Sequence, residues 1–347
     1  MEKGRARKII LPKPSLEHLA RLTDDIGLFQ HAKFTIPLRS EGYTTDDNAR
    51  ALIVTTKYYA RYREPEAIQL LDGYLTFLLH ACNEDGTVRN FMDFDRIWRK
   101  AEPASDALGR VIWAFGELLA QPPFDIYVPL AKERIDIALS LIEKQSPRGM
   151  AYSILGLAGY LKQFPDADNV KRCMANTADL IVSRFTENSK PDWPWFENIL
   201  TYDNAMLPCA LFTASITLGE KKYFDAAQKI CDFVLANTYT GSHFSFVGNN
   251  GWFPRGGPKA QFDQQPIEAA GTILMLNAAY QATNDKKYLV LRQKAFNWFL
   301  GENDSGIPLY DSKSKGCSDG LGAEGINLNE GAESIISFLL SRLLLEE

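Results

Sequence analysis

Apolar residues recur at i, i+3, i+4 and i+7 along "PEAIQLLDGYLTFLLHAC", "PLAKERIDIALSLIEKQ", "NVKRCMANTADLIVSRF", "YFDAAQKICDFVLANT" and "YLVLRQKAFNWFLGEN", with charged residues between them. That period predicts helices with one buried and one solvated face. A second kind of segment lies between these: "TTDDNARALIVTTKYYARY", "PASDALGRVIWAFGELLAQ", "PRGMAYSILGLAGYLKQF", "LTYDNAMLPCALFTASITLG", "PIEAAGTILMLNAAYQAT" and "NLNEGAESIISFLLSRLLL". These are apolar nearly all round and rich in Ala and Gly near their starts, which predicts helices buried on every side whose small residues let them crowd together. The two kinds alternate along the chain, and with "SLEHLARLTDD" as a first outer helix they make six pairs. Six such hairpins predict an all-α (α/α)6 toroid, an inner ring of helices inside an outer ring. No Gly-, Ser- or Pro-rich linker interrupts the pattern, so residues 1–347 are expected to form one domain.

Acids recur where the inner helices begin. "TTDDNA" at 44–49 matches "LTYDNA" at 200–205 in Thr, Asp, Asn and Ala, placing Asp47 and Asp203 in register. Asp106 in "ASDALG", Glu268 in "PIEAAG" and Glu330 in "LNEGAE" follow the same rule, while "RGMAYSILG" has no acid. Helix capping accounts for each acid singly, because a side-chain oxygen accepts the free N–H groups of a first turn. Inner helices that run parallel bring these acids to one mouth.

The connections feeding that mouth are long and aromatic, whereas those at the opposite end, such as "YREPEA" and "NDKKY", are short and polar. Function concentrates where long loops meet a rigid frame. The long set carries Trp98, Trp193, Trp195 and Trp252 beside Asp93, Asp95, Arg96, Glu197, Arg255, Gln264, Gln265 and Glu324, with Tyr43, Tyr202 and Asn204 flanking the acid motifs. Aromatic faces stack on the C–H faces of sugar rings, and carboxylates, guanidinium and amides take hydroxyls. A carbohydrate ligand is therefore expected. The competing expectation is that the tryptophans, Trp193 beside Pro194 above all, pack the loops onto the frame.

Composition narrows the classes. With 46% hydrophobic and 23% charged residues the chain can bury a large core, and a net charge of −5 gives no electrostatic footprint for nucleic acid. No run of eighteen apolar residues suggests a membrane span, and "MEKGRARKIILPKPSLEHL" does not read as a signal peptide. Five scattered cysteines read as reduced thiols, which points to the cytoplasm.

In this arrangement the chain resembles the six-hairpin glycosidase superfamily, whose toroids hydrolyse, cleave or epimerise carbohydrates at the mouth described. "GLFQHAKFTIPLRSEGYTTDDNARAL" also resembles an uncharacterised bacterial group associated with glycosyltransferases and mannoside-processing enzymes. The adjacent Asp46 and Asp47 are similar to the Asp-Asp pair of endo-acting α-mannanases of this fold. The resemblance implies glycoside hydrolysis with Asp46 and Asp47 in the chemistry; the acids gathered at the mouth add Asp203 as a third catalytic candidate, with Glu197 and Glu268 next, and no cofactor or metal is expected. Hydrolysis asks for two carboxyls, one kept protonated. If Asp47 caps its helix and stays ionised, Asp46 or Asp203 is expected to carry the raised pKa.

Other chemistries are weighed against this. Epimerases of the fold depend on histidines, and of His18, His31, His80 and His243 only two fall outside outer helices. "MDFDR" offers Asp93 and Asp95 to a metal, but a lone DxD is common. A carbohydrate-binding module that kept the cavity and lost turnover would carry the same aromatics and polar rim.

Overall fold

The structure, a computed structural model, describes residues 11–100 and 106–346. The basic "KGRARK" stretch and residues 101–105 lie outside them. Two sets of helices alternate. The outer set is α1 (Glu17–Arg21), α3 (Pro65–Ala81), α5 (Tyr127–Ala138), α7 (Asp168–Asn188), α9 (Lys221–Thr238) and α11 (Lys287–Asn297). The inner set is α2 (Thr45–Tyr62), α4 (Ala107–Ala120), α6 (Pro147–Gln163), α8 (Met206–Leu218), α10 (Pro266–Thr283) and α12 (Ala332–Leu344). Each inner helix packs on the next, and α12 returns to α2, closing the ring. The all-α (α/α)6 toroid expected from the hydrophobic pattern is the architecture observed.

The small residues of the inner segments have a direct steric purpose. A Cβ added to Gly116 of α4 would lie 2.1 Å from the carbonyl oxygen of Gly156 on α6, and one on Gly109 would lie 2.3 Å from that of Gly149. Glycine lets these two backbones touch, so the interior narrows on this side of the ring.

Connections leading into the inner helices carry four two-stranded antiparallel pairs among the described residues. They are β1 (Ala32–Lys33) with β2 (Ile36–Pro37), β3 (Tyr43–Thr44) with β4 (Phe91–Met92), β5 (Ile199–Leu200) with β6 (Phe253–Pro254), and β7 (Gly320–Gly322) with β8 (Gly325–Asn327). These pairings fix loops that the sequence alone leaves open.

Three helices start or stop differently from the pattern's expectation. α1 has five residues, because the Thr23 hydroxyl donates to the Leu19 carbonyl and the Asp24 carboxylate takes the N–H groups of Ile26 and Gly27. α8 begins at Met206, after the "TYDNA" match: β5 is paired to β6, and Arg148 holds the Tyr202 carbonyl at 2.6 Å and the Thr201 hydroxyl at 2.9 Å. α12 begins at Ala332, beyond Glu330, whose N–H is taken by the Phe34 carbonyl. Asp203 and Glu330 therefore precede their helices, whereas Asp46 and Asp47 lie within the first turn of α2. No helix among the described residues is long and apolar enough to cross a membrane. All five cysteines are free thiols.

Candidate active site

The first turn of α2 is capped by a threonine. Thr44 Oγ1 accepts the Asp47 backbone N–H at 3.0 Å and donates to Asp47 Oδ2 at 2.6 Å. With the cap supplied by Thr44, both aspartates of the pair turn to arginines. Arg50, one helical turn on, places Nε 2.8 Å from Asp46 Oδ1 and Nη2 2.7 Å from Asp47 Oδ1, while its Nη1 donates to Glu333 Oε2 of α12 at 3.2 Å. Each nitrogen of that guanidinium thus faces a different acid. Arg110 of α4 adds a second ion pair, with Nε 2.9 Å from Asp46 Oδ2.

Above this cluster opens a cavity of about 660 Å³. The start of α2 lines it with Asp46, Asp47 and Arg50, and the start of α12 with Gly331, Glu333 and Ser334. Gln265 comes from the residue before α10, Gln30 and His31 from the strand region before α2, and Asn90 and Phe91 from the β4 side. Asn249 and Asp263, with Asp319, Gly320, Gly322 and Asn327 around the β7–β8 hairpin, complete the wall. Among the described residues nothing from α4, α6 or α8 lines it. The starts of those helices are sealed instead: Asp106 accepts hydroxyls from Ser146 and Tyr202, and Arg148 spans Tyr202, Asn204 and Glu197.

Burial raises several carboxyls here. Asp47 is pushed up to about 6 by loss of hydration, which outweighs the Arg50 charge. Asp319 is also raised by burial; its Oδ1 accepts the Ser334 hydroxyl and the Gly331 N–H, each at 2.7 Å. Burial likewise raises Asp203, against the pull of Arg110 and the Tyr152 hydroxyl. Glu268 is pushed up to about 8 by burial and by the neighbouring Asp203 charge.

Of the residues expected from sequence, Asp46, Asp47 and Gln265 line the cavity. Asp203 does not: it sits beneath, 3% exposed, taking the Tyr152 hydroxyl at 2.5 Å, with its own N–H donated to Glu268 Oε1 at 2.5 Å. The expectation that Asp47 caps its helix is corrected, because the smaller Thr44 hydroxyl reaches the free N–H first. Glu330 turns to Ser314 and His18 on the side of α1, and Glu324 lies exposed in the β7–β8 turn.

The tryptophans follow the packing expectation and are not cavity walls. Trp195 is fully buried against Phe196 and Phe233, and Trp193 packs edge-on to Phe233 and Phe253. Trp98 lies against Phe77 and His80 of α3 under the Arg89 guanidinium. Trp252 is half-buried against the core. Gln264 is fully buried, accepting from Phe246 and Trp298 and donating to Asp304. Tyr43 is buried and donates to Asp24. Asp93 pairs with Arg99, Arg96 with Asp25 and Arg255 with Asp192, and Asp95 accepts the Ile97 N–H. These groups fasten loops.

Sequence reasoning missed Arg50, Asp319, Asp263, His31 and Glu333. Arg50 and Glu333 had a signal: Arg50 is i+4 from Asp46, and Glu333 is one turn beyond Glu330. Asp319 and Asp263 had none, being single acids in irregular loops.

No protein-family model matches the sequence, nor does any curated protein. Solved structures do match in shape. A cellobiose 2-epimerase from Bacillus thermoamylovorans aligns at TM-score 0.70 and 12% identity, over 94% of this chain and 95% of that one. A D-mannose isomerase aligns at 0.68 and 13% over 95% of both chains. An α-mannanase from Bacteroides thetaiotaomicron aligns at 0.66 and 11% over 95% of this chain and 93% of that one. At this identity the likeness concerns the backbone alone: the chain shares the (α/α)6 toroid fold of these structures.

Proposed function

We propose that this chain is a carbohydrate-active enzyme that hydrolyses glycosidic bonds in the cavity above α2 and α12. One observation carries the reading: a carboxylate held by two guanidiniums, Asp46, shares the cavity with carboxyls that burial raises, Asp47 and Asp319. Hydrolysis needs that division, one group ionised to act as base or nucleophile and one protonated to serve the leaving oxygen. Asp46 takes the ionised role. Asp319 takes the acid role, since its Oδ1 receives both hydrogen bonds and Oδ2 receives none among the described residues. Both oxygens of Asp47 are occupied by Arg50 and Thr44, so Asp47 sets the orientation of Arg50. Gln30, Asn249 and Gln265 line the same cavity with amides suited to hydroxyls. Mannosides head the substrates to try, because the adjacent aspartates resemble an α-mannanase pair and one structure of similar shape is an α-mannanase.

The test is a panel of α- and β-linked oligosaccharides, mannosides included, followed by reducing-end detection and proton NMR of the new anomer. Cleavage that Asp46→Asn and Asp319→Asn each reduce by ~10²-fold or more supports the reading, the usual scale for a positioned acid or base. Binding without cleavage of any member would return the chain to a carbohydrate-binding module.

A second reading, epimerisation or isomerisation of a sugar, is favoured by His31 in the cavity and by the epimerase and isomerase among the structures of similar shape. Incubation of free sugars in D2O separates the two: deuterium entering next to the carbonyl, and its loss in His31→Gln, belongs to this reading alone.

A further inference from the structure

We propose that Arg110 is a positioning residue for Asp46, itself held from below by Tyr152. The proposal rests on Asp46 being the ionised carboxylate of the reaction described above.

Arg110 lies 3% exposed on α4 and does not line the cavity, so it acts through Asp46. Its Nε is 2.9 Å from Asp46 Oδ2. Nη2 donates to the Tyr152 hydroxyl at 2.8 Å and stands 3.5 Å from Asp203 Oδ2, and the guanidinium carbon rests 4.1 Å from the centre of the Tyr152 ring. One buried cation thereby stands between two carboxyl groups, one partly open to the cavity and one closed off from it. Asp203 is itself fixed, at a backbone φ of +46°, by the Tyr152 hydroxyl and by Glu268 of α10. The guanidinium is held by its Nη2 hydrogen bond to Tyr152, which sets Nε at ion-pair distance from Asp46; a lysine ammonium has no such fork.

The other charged or titratable groups around Asp46 are Arg50 and Asp47 on its own helix, Glu333 of α12 behind Arg50, and His31, Asp263 and Asp319 in the wall of the same cavity. Asn90 meets it as a neutral group, its side-chain oxygen 3.4 Å from the Asp46 backbone nitrogen. Against that constant background, loss of the Arg110 charge favours the protonated form of Asp46.

The experiment is a carboxyl-carbon NMR titration of full-length, unliganded protein labelled at aspartate, with the Asp46 resonance identified by its absence in Asp46→Asn. In Arg110→Gln the inflection should move to higher pH by about 1 or more, the scale for an aspartate losing an arginine neighbour. Arg110→Lys should move it less in the same direction, because the charge stays while the planar fork is lost. An unmoved inflection in Arg110→Gln, or a shift in Arg110→Lys as large as in Arg110→Gln, overturns the proposal. If Arg110→Gln does not fold, Arg110→Lys gives the test by itself: a shift to higher pH is expected, and an unmoved inflection overturns the proposal. No substrate enters, so the result is independent of whether a glycoside is cleaved. Where one is, the acid limb of kcat/KM should move in the same order while KM holds.

Discussion

Asp46 on α2 and Arg110 on α4 meet at 2.9 Å, and through that pair the open cavity is joined to acids buried below it. The aspartate pair at the start of α2 thus belongs to a chain of charge running Asp47, Arg50, Asp46, Arg110, Asp203 across the ring. The cap of the same helix is a separate device, built from Thr44.

That separation predicts a division of labour between neighbouring residues. Thr44→Val should cost about 1 kcal/mol of stability, the typical loss of a helix cap. Asp46→Asn keeps the cap, and Arg50 and Arg110 retain other acid partners, so its melting temperature should stay close to wild type while turnover falls by ~10²-fold. Thermal denaturation beside a cleavage assay decides; an Asp46→Asn protein that melts early and cleaves normally contradicts the assignment.

Glu268 predicts an inverted pH dependence of stability. Its carboxyl titrates near 4.5 when unperturbed and is pushed up to about 8 by burial. Between those values the folded state holds a proton that the unfolded chain has released, so stability falls as pH rises from about 4.5 to 8 and levels off above. Asp47, raised from 3.8 to about 6, adds to the acid part of that slope. Glu268→Gln keeps an oxygen for the Asp203 N–H and cannot ionise. Its stability relative to wild type should therefore improve between pH 5 and 8 by on the order of 3 kcal/mol, since each tenfold change in proton affinity is worth about 1.4 kcal/mol. Urea midpoints at several pH values measure this, and parallel curves would refute it.

Trp195 should depart from the sugar-stacking role that its sequence context suggests, whereas Gln265 should keep its expected role. Trp195→Ala empties a fully buried site and should destabilise by about 3–5 kcal/mol. Gln265→Ala should leave the melting temperature nearly unchanged and weaken a bound glycan by about 1 kcal/mol, one hydrogen bond's worth. Calorimetry on a confirmed ligand, paired with melting curves, separates the two effects.

The contact between α4 and α6 tolerates no methyl group. Gly116→Ala would set a Cβ 2.1 Å from the Gly156 carbonyl oxygen, and forcing the helices apart should cost about 3 kcal/mol or more. Gly73 on α3 is the control, with nothing within 4 Å of an added Cβ, so Gly73→Ala should stabilise by up to about 1 kcal/mol. Equal effects at both positions would argue against backbone contact as the cause.

If residues 1–347 fold as one domain, limited proteolysis should nick the loops near 240–262 or 302–322 without releasing a separately stable half. A folded half-length fragment on gel filtration would contradict the single ring.

The alternation of one-faced and all-round apolar helices is written in the sequence, because helical period and burial are local consequences of side-chain order. From that alternation came the twelve α-helices found among the described residues and their inner and outer ranks, while the glycine contact of α4 with α6 is a tertiary detail of the crowding that the small residues imply. The sequence also marks the Asp46–Asp47 pair. What it does not contain is which acids share a cavity. "TTDDNA" and "LTYDNA" read alike, yet Asp46 and Asp47 lie in a helical turn facing open space, while Asp203 is held ahead of α8 by Tyr152 and Glu268. The tryptophans were bound to seek either sugar or core, and their surroundings on α3 and α9 decided for core, since burying a large apolar ring outweighs leaving it at a polar rim. Asp319 and Asp263 reach the cavity only because tertiary packing folds their loops over the starts of α2 and α12. A carboxyl's proton affinity depends on hydration and on charges a few ångströms away, and those neighbours come from remote parts of the chain.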